Sequence, residues 1–418
     1  MIEYPIIKNA SGEKLDTWVE GDASSAKTII MVHGFGTDKH EHGFFDAMST
    51  AFTKAGFCVV RFDFSAYGKS EGNEVDGCYS KQAADLQAII DYTKSSFPGE
   101  YFLFSQSMGT WVTALLSPTG FMRTVFVGMP NADTDIMVER FKDRFTKRPG
   151  AVFDENGISI YPRSSGEVQK IGPVFWAGMR SLDPIEKVTN FAQSTDLLNI
   201  HWYEDEILGT DHMEEYETID KVKSLWLHGT HTVPTEEQRT ELSKIAIGYF
   251  MGEELVEWVD EDEKSLGPIP ISVANQSPKY LHREVVVLLA DKNRRLFTGK
   301  RAATKHVAPN IWIPAAAGHL TYGDTLEATA HRELLEETGL DIKELKYLFR
   351  EHVIMSNETQ YCHWFLGNYD GSEIKLDPKE SSEYMWVTEA GFDEFCRTHD
   401  MPDRSSSAFR RYWAGEWD

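Results

Sequence analysis

Cysteine is scarce in this chain of 418 residues: Cys58, Cys78, Cys362 and Cys396 are the four, widely scattered and without a C-x-x-C pair. Zinc ribbons and disulfide frameworks are thereby excluded, and a reducing cytoplasm is the expected setting. Basic residues are also few. Forty-two Lys and Arg stand against 66 Asp and Glu, a net charge of -24. A broad surface for a nucleic-acid polymer or an anionic membrane needs the opposite balance. A small phosphorylated substrate is not excluded, because divalent cations reverse the sign locally. No run of 18 apolar residues exists, so no membrane-spanning helix is expected. The opening "MIEYPIIKNASGEKLD" has no apolar stretch of the kind a signal peptide needs. Internal repeats and low-complexity tracts are absent too.

What is present is a globular composition, 41% hydrophobic and 26% charged. The length is too great for one ordinary core and suits two domains. The character of the chain changes after Gly252, which places the expected domains at 1–252 and 253–418.

In the first part, apolar runs such as "TIIMVHGFG", "FCVVRFDFSAYG", "YFLFSQSMG" and "TVFVGMP" alternate with helical patterns. Such runs imply a mostly parallel, doubly wound α/β sheet covered on both faces. Two turns fall at strand ends, where open α/β sheets place their sites. "SQSMG" lies between a strand and the helical "TWVTALLS", the pattern of a strained nucleophile elbow with Ser107 central. A plain strand-to-helix turn is the bland alternative. "HGFG" follows an earlier strand, and the backbone N–H groups of Phe35 and Met108 are candidates for an oxyanion hole. About residues 131–195 no sheet pattern is visible, and a helical cap is expected there, contributing Phe, Trp and Met to an acyl pocket.

"MVHGFG", "RFDFSAYGKSEG" and "SQSMG" stand in the order and at the approximate spacings of the α/β-hydrolase family, and the first 250 residues or so resemble its small esterases and monoacylglycerol-lipase-like members. "DFSAYGKSEG" is similar to the family's D-x-x-G-x-G-x-S turn, with Ala66 a departure expected to matter little. The family's chain order is Ser, then Asp or Glu, then His. "HWYEDEIL" resembles its acid turn, with Trp202 in the glycine place and Asp205 as the acid. "SLWLHGTHTVP" resembles its histidine turn, with His231 as the base. His228 competes with His231, and Asp205 stands among Glu204, Glu206 and Asp211, where it could be one charge on a solvated loop. The resemblance implies the triad Ser107–Asp205–His231, acting on a carboxylic ester or thioester without a cofactor.

The second part carries "GHLTYGDTLEATAHRELLEETGL", Gly318 to Leu340. Asp324 with Glu327 reads as a capping box opening a helix, and Gly339 as its C-terminal stop. Glu333, Glu336 and Glu337 then share one helical face. Carboxylates so crowded repel unless divalent cations neutralise them, and oxygen ligands suit Mg²⁺ or Mn²⁺. The same residues resemble the Nudix box, G-x5-E-x7-R-E-U-x-E-E-x-G-U: Gly318, Arg332, Glu333, Leu334, Glu336, Glu337, Gly339 and Leu340 match, and Asp324 replaces the first glutamate. The resemblance implies an α/β/α fold with a mixed sheet. Glu336 and Glu337 would be metal ligands, with Glu333 as ligand or base. The Ala317 carbonyl and one of Glu380 or Glu383 are further candidates. "LHREVVVLLAD" and "WIPAAAGH" are similar to the Nudix branch of isopentenyl-diphosphate isomerase. Those isomerases carry a catalytic cysteine where this chain reads Ala315-Ala316-Ala317, which favours hydrolysis of a diphosphate. An isomerase-like reaction, or one domain acting as a silent ligand sensor, remains the alternative.

Overall fold

A computed structural model describes residues 2–163, 166–211, 213–305 and 308–417. The chain forms two compact units, 1–253 and 254–418.

In the first unit, seven strands form the body of a twisted sheet: β1 (Lys14–Glu20), β2 (Lys27–Val32), β3 (Cys58–Phe62), β4 (Glu100–Gln106), β5 (Arg123–Val127), β6 (Asp196–Trp202) and β7 (Val222–Leu227). Their spatial order is β1-β3-β2-β4-β5-β6-β7. β1 runs antiparallel to β3, and the pairs from β3 to β7 are parallel. The apolar runs are explained by this burial: every residue of β3 is buried, and only Lys27 of β2 is partly exposed. Chain order reverses between β2 and β4, which pair Val32 with Ser105. The "HGFG" and "SQSMG" turns leave the sheet side by side at that point, where such sheets open a crevice.

Helices α1 (Phe44–Lys54), α2 (Tyr79–Ser96) and α3 (Met108–Leu116) cover the sheet. The segment expected as a helical cap contains α4 (Thr134–Thr146) and α5 (Pro173–Arg180), and between them a hairpin of Ser159–Pro162 with Val168–Ile171. The hairpin escaped the sequence reading because its strands are only four residues long, too short to display a period. The next helix, α6 (Pro184–Ala192), stacks Phe191 on Phe126 of β5 at 5.7 Å and so covers the sheet. Helix α7 (Glu236–Met251) closes the unit, opened by a Thr235–Gln238 capping box and ended at Gly252.

The second unit is built on β8 (His282–Ala290), β9 (Leu296–Arg301), β10 (Trp312–Ile313), β11 (Ala316–His319), β12 (Leu345–Ile354), β13 (Thr359–Asn368) and β14 (Ser381–Val387). The order is β10-β9-β8-β13-β12, with β11 on β8 and β14 on β9. β8 and β13 are parallel and the other pairs antiparallel, so the sheet is mixed. The alternation along β8 divides its burial between two cores. Val285, Val287 and Leu289 pack under α8 (Leu326–Thr338), against Ala330 and Leu334. Val286 and Leu288 face the other way, towards Phe392 of α9 (Phe392–Thr398) and Phe409 and Trp413 of α10 (Asp403–Trp413). Each such fully buried side chain stabilises the fold by roughly 1.5–3 kcal/mol. The result is an α/β/α sandwich.

Candidate active sites

Ser107 stands between β4 and α3 at φ 52 and ψ -129, a strained conformation for a residue with a side chain. Small neighbours make the turn possible. A Cβ on Gly109 would fall 2.6 Å from the carbonyl oxygens of both Val32 and His33. Ser105, standing where glycine is usual in the family, is buried and bonds Thr113 Oγ1 at 2.9 Å. That partner in α3 is how the larger residue is accommodated.

Asp205 follows β6 and His231 follows β7, so both reach the same sheet rim as Ser107. His231 Nε2 lies 2.9 Å from Ser107 Oγ, and Nδ1 lies 2.8 Å from Asp205 Oδ2. The side chains of His231 and Asp205 are 6% and 4% exposed. Asp205 Oδ1 accepts from the backbone N–H of Ile207 and Leu208 at 3.0 and 2.7 Å. Burial pushes its carboxyl up, but the charge and hydrogen bond of His231 and those two amides outweigh it, and the pKa falls below the usual carboxylate value. With Nδ1 donating to Asp205, Nε2 is free to accept the Ser107 proton. His228 is excluded from this relay: its side chain is 70% exposed and pairs with Glu204.

Glu206 is a supporting residue the sequence reading missed; its carboxylate accepts from the His231 N–H at 3.0 Å. It had looked like one more charge in an acidic stretch. Gln106 Nε2 donates to the His231 carbonyl at 3.2 Å, fixing the same loop from the other side. The "HGFG" turn lies directly on the elbow, for a Cβ on Gly34 would come 2.9 Å from Ser107 Cβ. The Gly34 N–H donates to the buried Glu41 carboxylate. Burial pushes the Glu41 pKa up to about 8. Ala66, treated above as a harmless departure, holds φ 66, the left-handed region where glycine carries no penalty.

In the second unit the loop from β11 to α8 brings the acidic helix face back over the strand. A Cβ on Gly318 would lie 2.2–2.5 Å from the Glu333 carboxylate, so only glycine permits this approach. Glu337 Oε1 accepts from the Ala317 N–H at 3.2 Å, and Gly339 ends the helix at φ 74. Arg332 bridges Glu333 at 2.8 Å and Glu336 at 3.2 Å. Glu336 is exposed, while Glu333 is half-buried and Glu337 buried. Burial first, and then the charges of Glu333 and Glu380, push Glu337 up to about 8, although Ala317 and Arg301 oppose it. Glu333 is also raised, chiefly by burial, with Glu336 and Glu254 adding to it. Arg332 and Arg301 offset part of this negative charge, and the oxygen donor set suits a hard divalent cation.

Three details differ from the sequence reading. The helix cap is Thr325, whose Oγ1 accepts from Ala328 N at 3.2 Å, because α8 begins one residue later than an Asp324 cap requires. Glu380 contributes to the field at Glu337, whereas Glu383 is 54% exposed and pairs with Lys300 across the strand register. Glu254, unnoticed in the sequence, accepts from Thr321 Oγ1 at 2.9 Å and adds a further acid beside Glu333.

A second donor group was missed altogether. His282, His319 and Glu358 bring ligand atoms within 4.8 Å of one another. His282 Nδ1 bonds the Tyr280 carbonyl at 2.8 Å, which leaves Nε2 as the free lone pair, and burial holds its pKa down at about 4. A neutral imidazole with its other nitrogen fixed is the form that binds metal. Each of the three is a lone residue in sequence, and only the register of β8 with β11 and β13 gathers them.

The fold and these sites define a class: an enzyme with a unit of α/β-hydrolase fold followed by a Nudix unit. The "Serine aminopeptidase, S33" model matches residues 23–128, and the "NUDIX domain" model matches residues 280–407. The isopentenyl-diphosphate Delta-isomerase 2 of Photorhabdus laumondii is 34% identical over 139 residues, 32% of this chain and 77% of that protein. The Nocardia farcinica isopentenyl-diphosphate Delta-isomerase is 31% identical over 140 residues, 32% of this chain and 79% of that one. Among solved structures, an esterase from Pyrococcus furiosus covers 60% of this chain and 91% of its own at 21% identity and a TM-score of 0.47. Est1E from Butyrivibrio proteoclasticus, with ferulic acid bound, covers 59% and 98% at 19% identity and a TM-score of 0.48. The chain belongs, through its second unit, to the Nudix family in the branch of the isopentenyl-diphosphate isomerases.

Proposed function

We propose that the chain is a bifunctional hydrolase, with a serine esterase in the first unit and a cation-dependent diphosphate hydrolase in the second. One observation carries the first half: the unbroken chain of contacts from Asp205 through His231 to Ser107, 2.8 and 2.9 Å long. In this reading Ser107 Oγ attacks the carbonyl carbon of an ester or thioester while its proton passes to His231 Nε2. Asp205 fixes the imidazole tautomer and stabilises the cation. The N–H groups of Phe35 and Met108 receive the oxyanion. His231 returns its proton to the leaving alcohol or thiol, and water then releases the acyl group by the same relay. The four cysteines are unpaired, consistent with a cytoplasmic setting. Among the described residues no helix is long and apolar enough to cross a membrane.

In the second unit Glu333, Glu336 and Glu337 would hold Mg²⁺ or Mn²⁺, which polarises a diphosphate X–P–P–Y and lowers the pKa of bound water. Arg332 orients Glu333 and Glu336, and Gly318 leaves room for the carboxylate. The isomerase relatives, together with His282, His319 and Glu358, favour a second reading in which this unit isomerises a prenyl diphosphate. Ala315 to Ala317, where those enzymes carry a cysteine, weigh against it. Product analysis separates the two, since hydrolysis splits X–P–P–Y into X–P and Y–P while isomerisation leaves the diphosphate bond intact.

Ser107→Ala should lower 4-nitrophenyl ester turnover by about 10⁴-fold or more while sparing the cleavage of diphosphates. Retained ester turnover would remove the triad.

A further inference from the structure

The cavity above Ser107 has a volume of about 1060 Å³. Its wall includes Arg144, Arg148 and Arg163 from the cap, an unexpected concentration of positive charge in a chain of net charge -24. Other cap arginines are spoken for: Arg140 pairs with Asp211, and Arg180 with Asp135 and Glu155. Arg144, Arg148 and Arg163 form no ion pair among the described residues. Arg148 donates to the Pro162 carbonyl at 3.0 Å and lies 4.9 Å from the Tyr161 ring.

Arg163 is the best placed of the three. It is half-buried at the start of the loop of the cap hairpin, with its guanidinium 5.8 Å from the rings of both Phe35 and Tyr161. It rests so closely on the "HGFG" turn that a Cβ on Gly36 would lie 1.5 Å from Nη2. Among the described residues its one side-chain acceptor is Gln169 Oε1. A guanidinium carries five donors in a planar fork suited to carboxylate or phosphate. Holding one partly out of water with most donors unmet is costly unless a ligand meets them.

The acids in the same wall are occupied elsewhere. Asp63 pairs with Lys39 at 2.9 Å, Asp38 accepts from the His40 N–H at 2.9 Å, and Glu74 accepts from the Lys170 N–H at 2.9 Å. Glu41, raised by burial, accepts from Gly34, and Glu167 is exposed.

We infer that the first site acts on esters bearing an anionic group, carboxylate or phosphate, which Arg163 receives beside the oxyanion turn with Arg144 and Arg148 lining the approach. The inference rests on the acyl-transfer reading above and gives it a substrate class. Arg163 is a specificity residue here. It draws the anion to one wall and thereby orients the ester carbonyl towards Ser107.

Two matched pairs of probes test it. One is 4-nitrophenyl pentanoate against 4-nitrophenyl hydrogen adipate; the other is 1-butyrylglycerol against 1-butyrylglycerol 3-phosphate. kcat/KM is measured for the wild type, Arg163→Met and Arg163→Lys, and binding of the same esters is measured calorimetrically on Ser107→Ala with and without Arg163→Met. The expected result is a preference of about tenfold or more for the anionic member of at least one pair, as charge-assisted hydrogen bonds supply. That ratio should collapse towards unity in Arg163→Met and be partly kept in Arg163→Lys. The pair that shows it distinguishes carboxylate from phosphate. Ratios near unity in the wild type, or a ratio untouched by Arg163→Met in a protein that melts normally, would overturn the inference. Ester turnover that is independent of Ser107 would instead overturn the acyl-transfer reading, and the binding measurements on Ser107→Ala would still decide the anion preference.

Discussion

In the first unit each buried polar group of the relay has a partner within the protein: Asp205 has His231 and two amides, and His231 has Asp205, Ser107 and Glu206. In the second, Glu333, Glu336 and Glu337 share a face, Arg332 bridges two of them among the described residues, and burial leaves Glu337 at a pKa of about 8. The first site pairs its charges as the chain folds, and the second, in the function proposed above, is completed by a cation. The contrast teaches where each unit keeps its strain. At the first site it lies in the backbone of Ser107, with φ 52, and of Ala66, with φ 66. At the second it lies in the crowded carboxylates.

The largest effect that would break this contrast is expected at Glu337. Glu337→Gln should cut cation-dependent diphosphate cleavage by about 100-fold or more and leave Ser107-dependent ester turnover in place. A parallel loss of both would show that the sites are not independent.

Glu41 tests whether the first unit is as well compensated as it looks. Its carboxyl, at about 8 when folded against an ordinary 4.5, is protonated more readily in the folded chain than in the unfolded one. Stability is therefore lost as pH rises from 4.5 to 8, and the loss is complete above 8. Glu41→Gln, which still offers an oxygen to the Gly34 N–H, should flatten that slope. The variant should gain a few kcal/mol at most above pH 8, at about 1.4 kcal/mol per unit, and nothing in acid. Melting curves across the pH range read this directly, and identical slopes would contradict it.

Gly318→Ala pushes the Glu333 carboxylate, the free end of its side chain, off its place, so diphosphate turnover should fall while ester turnover and the melting of the second unit stay near wild type. The smallest effect is at Ala66. Ala66→Gly relieves a left-handed residue and should stabilise the first unit by about 1 kcal/mol in denaturant unfolding.

Much of this was readable before any coordinates. Near-continuous apolar runs identify strands buried on both faces, and the turns that follow them hold Ser107, Asp205 and His231, because a parallel sheet presents successive turns along one rim. The acids of α8 were legible for a different reason, since a helix repeats every 3.6 residues and spacing alone puts them together. Legibility ended where neither periodicity nor chain order applies. His282 and Glu358 are far apart in sequence and meet only through strand register. Arg163 lies in a stretch without sheet pattern, beside a hairpin too short to announce itself. Glu380 and Glu383 were equivalent on paper, and the pairing of β9 with β14 turns Glu383 towards Lys300.

The most direct measurement takes one preparation of the full chain, removes divalent cations with EDTA, and follows both activities before and after Mg²⁺ is restored. Cleavage of the diphosphate X–P–P–Y into its two monophosphates is expected to fall to background and return with Mg²⁺, while hydrolysis of the 4-nitrophenyl ester stays level throughout. Ester hydrolysis that falls and recovers with the metal, or diphosphate cleavage indifferent to it, would contradict the division of chemistry between the two units.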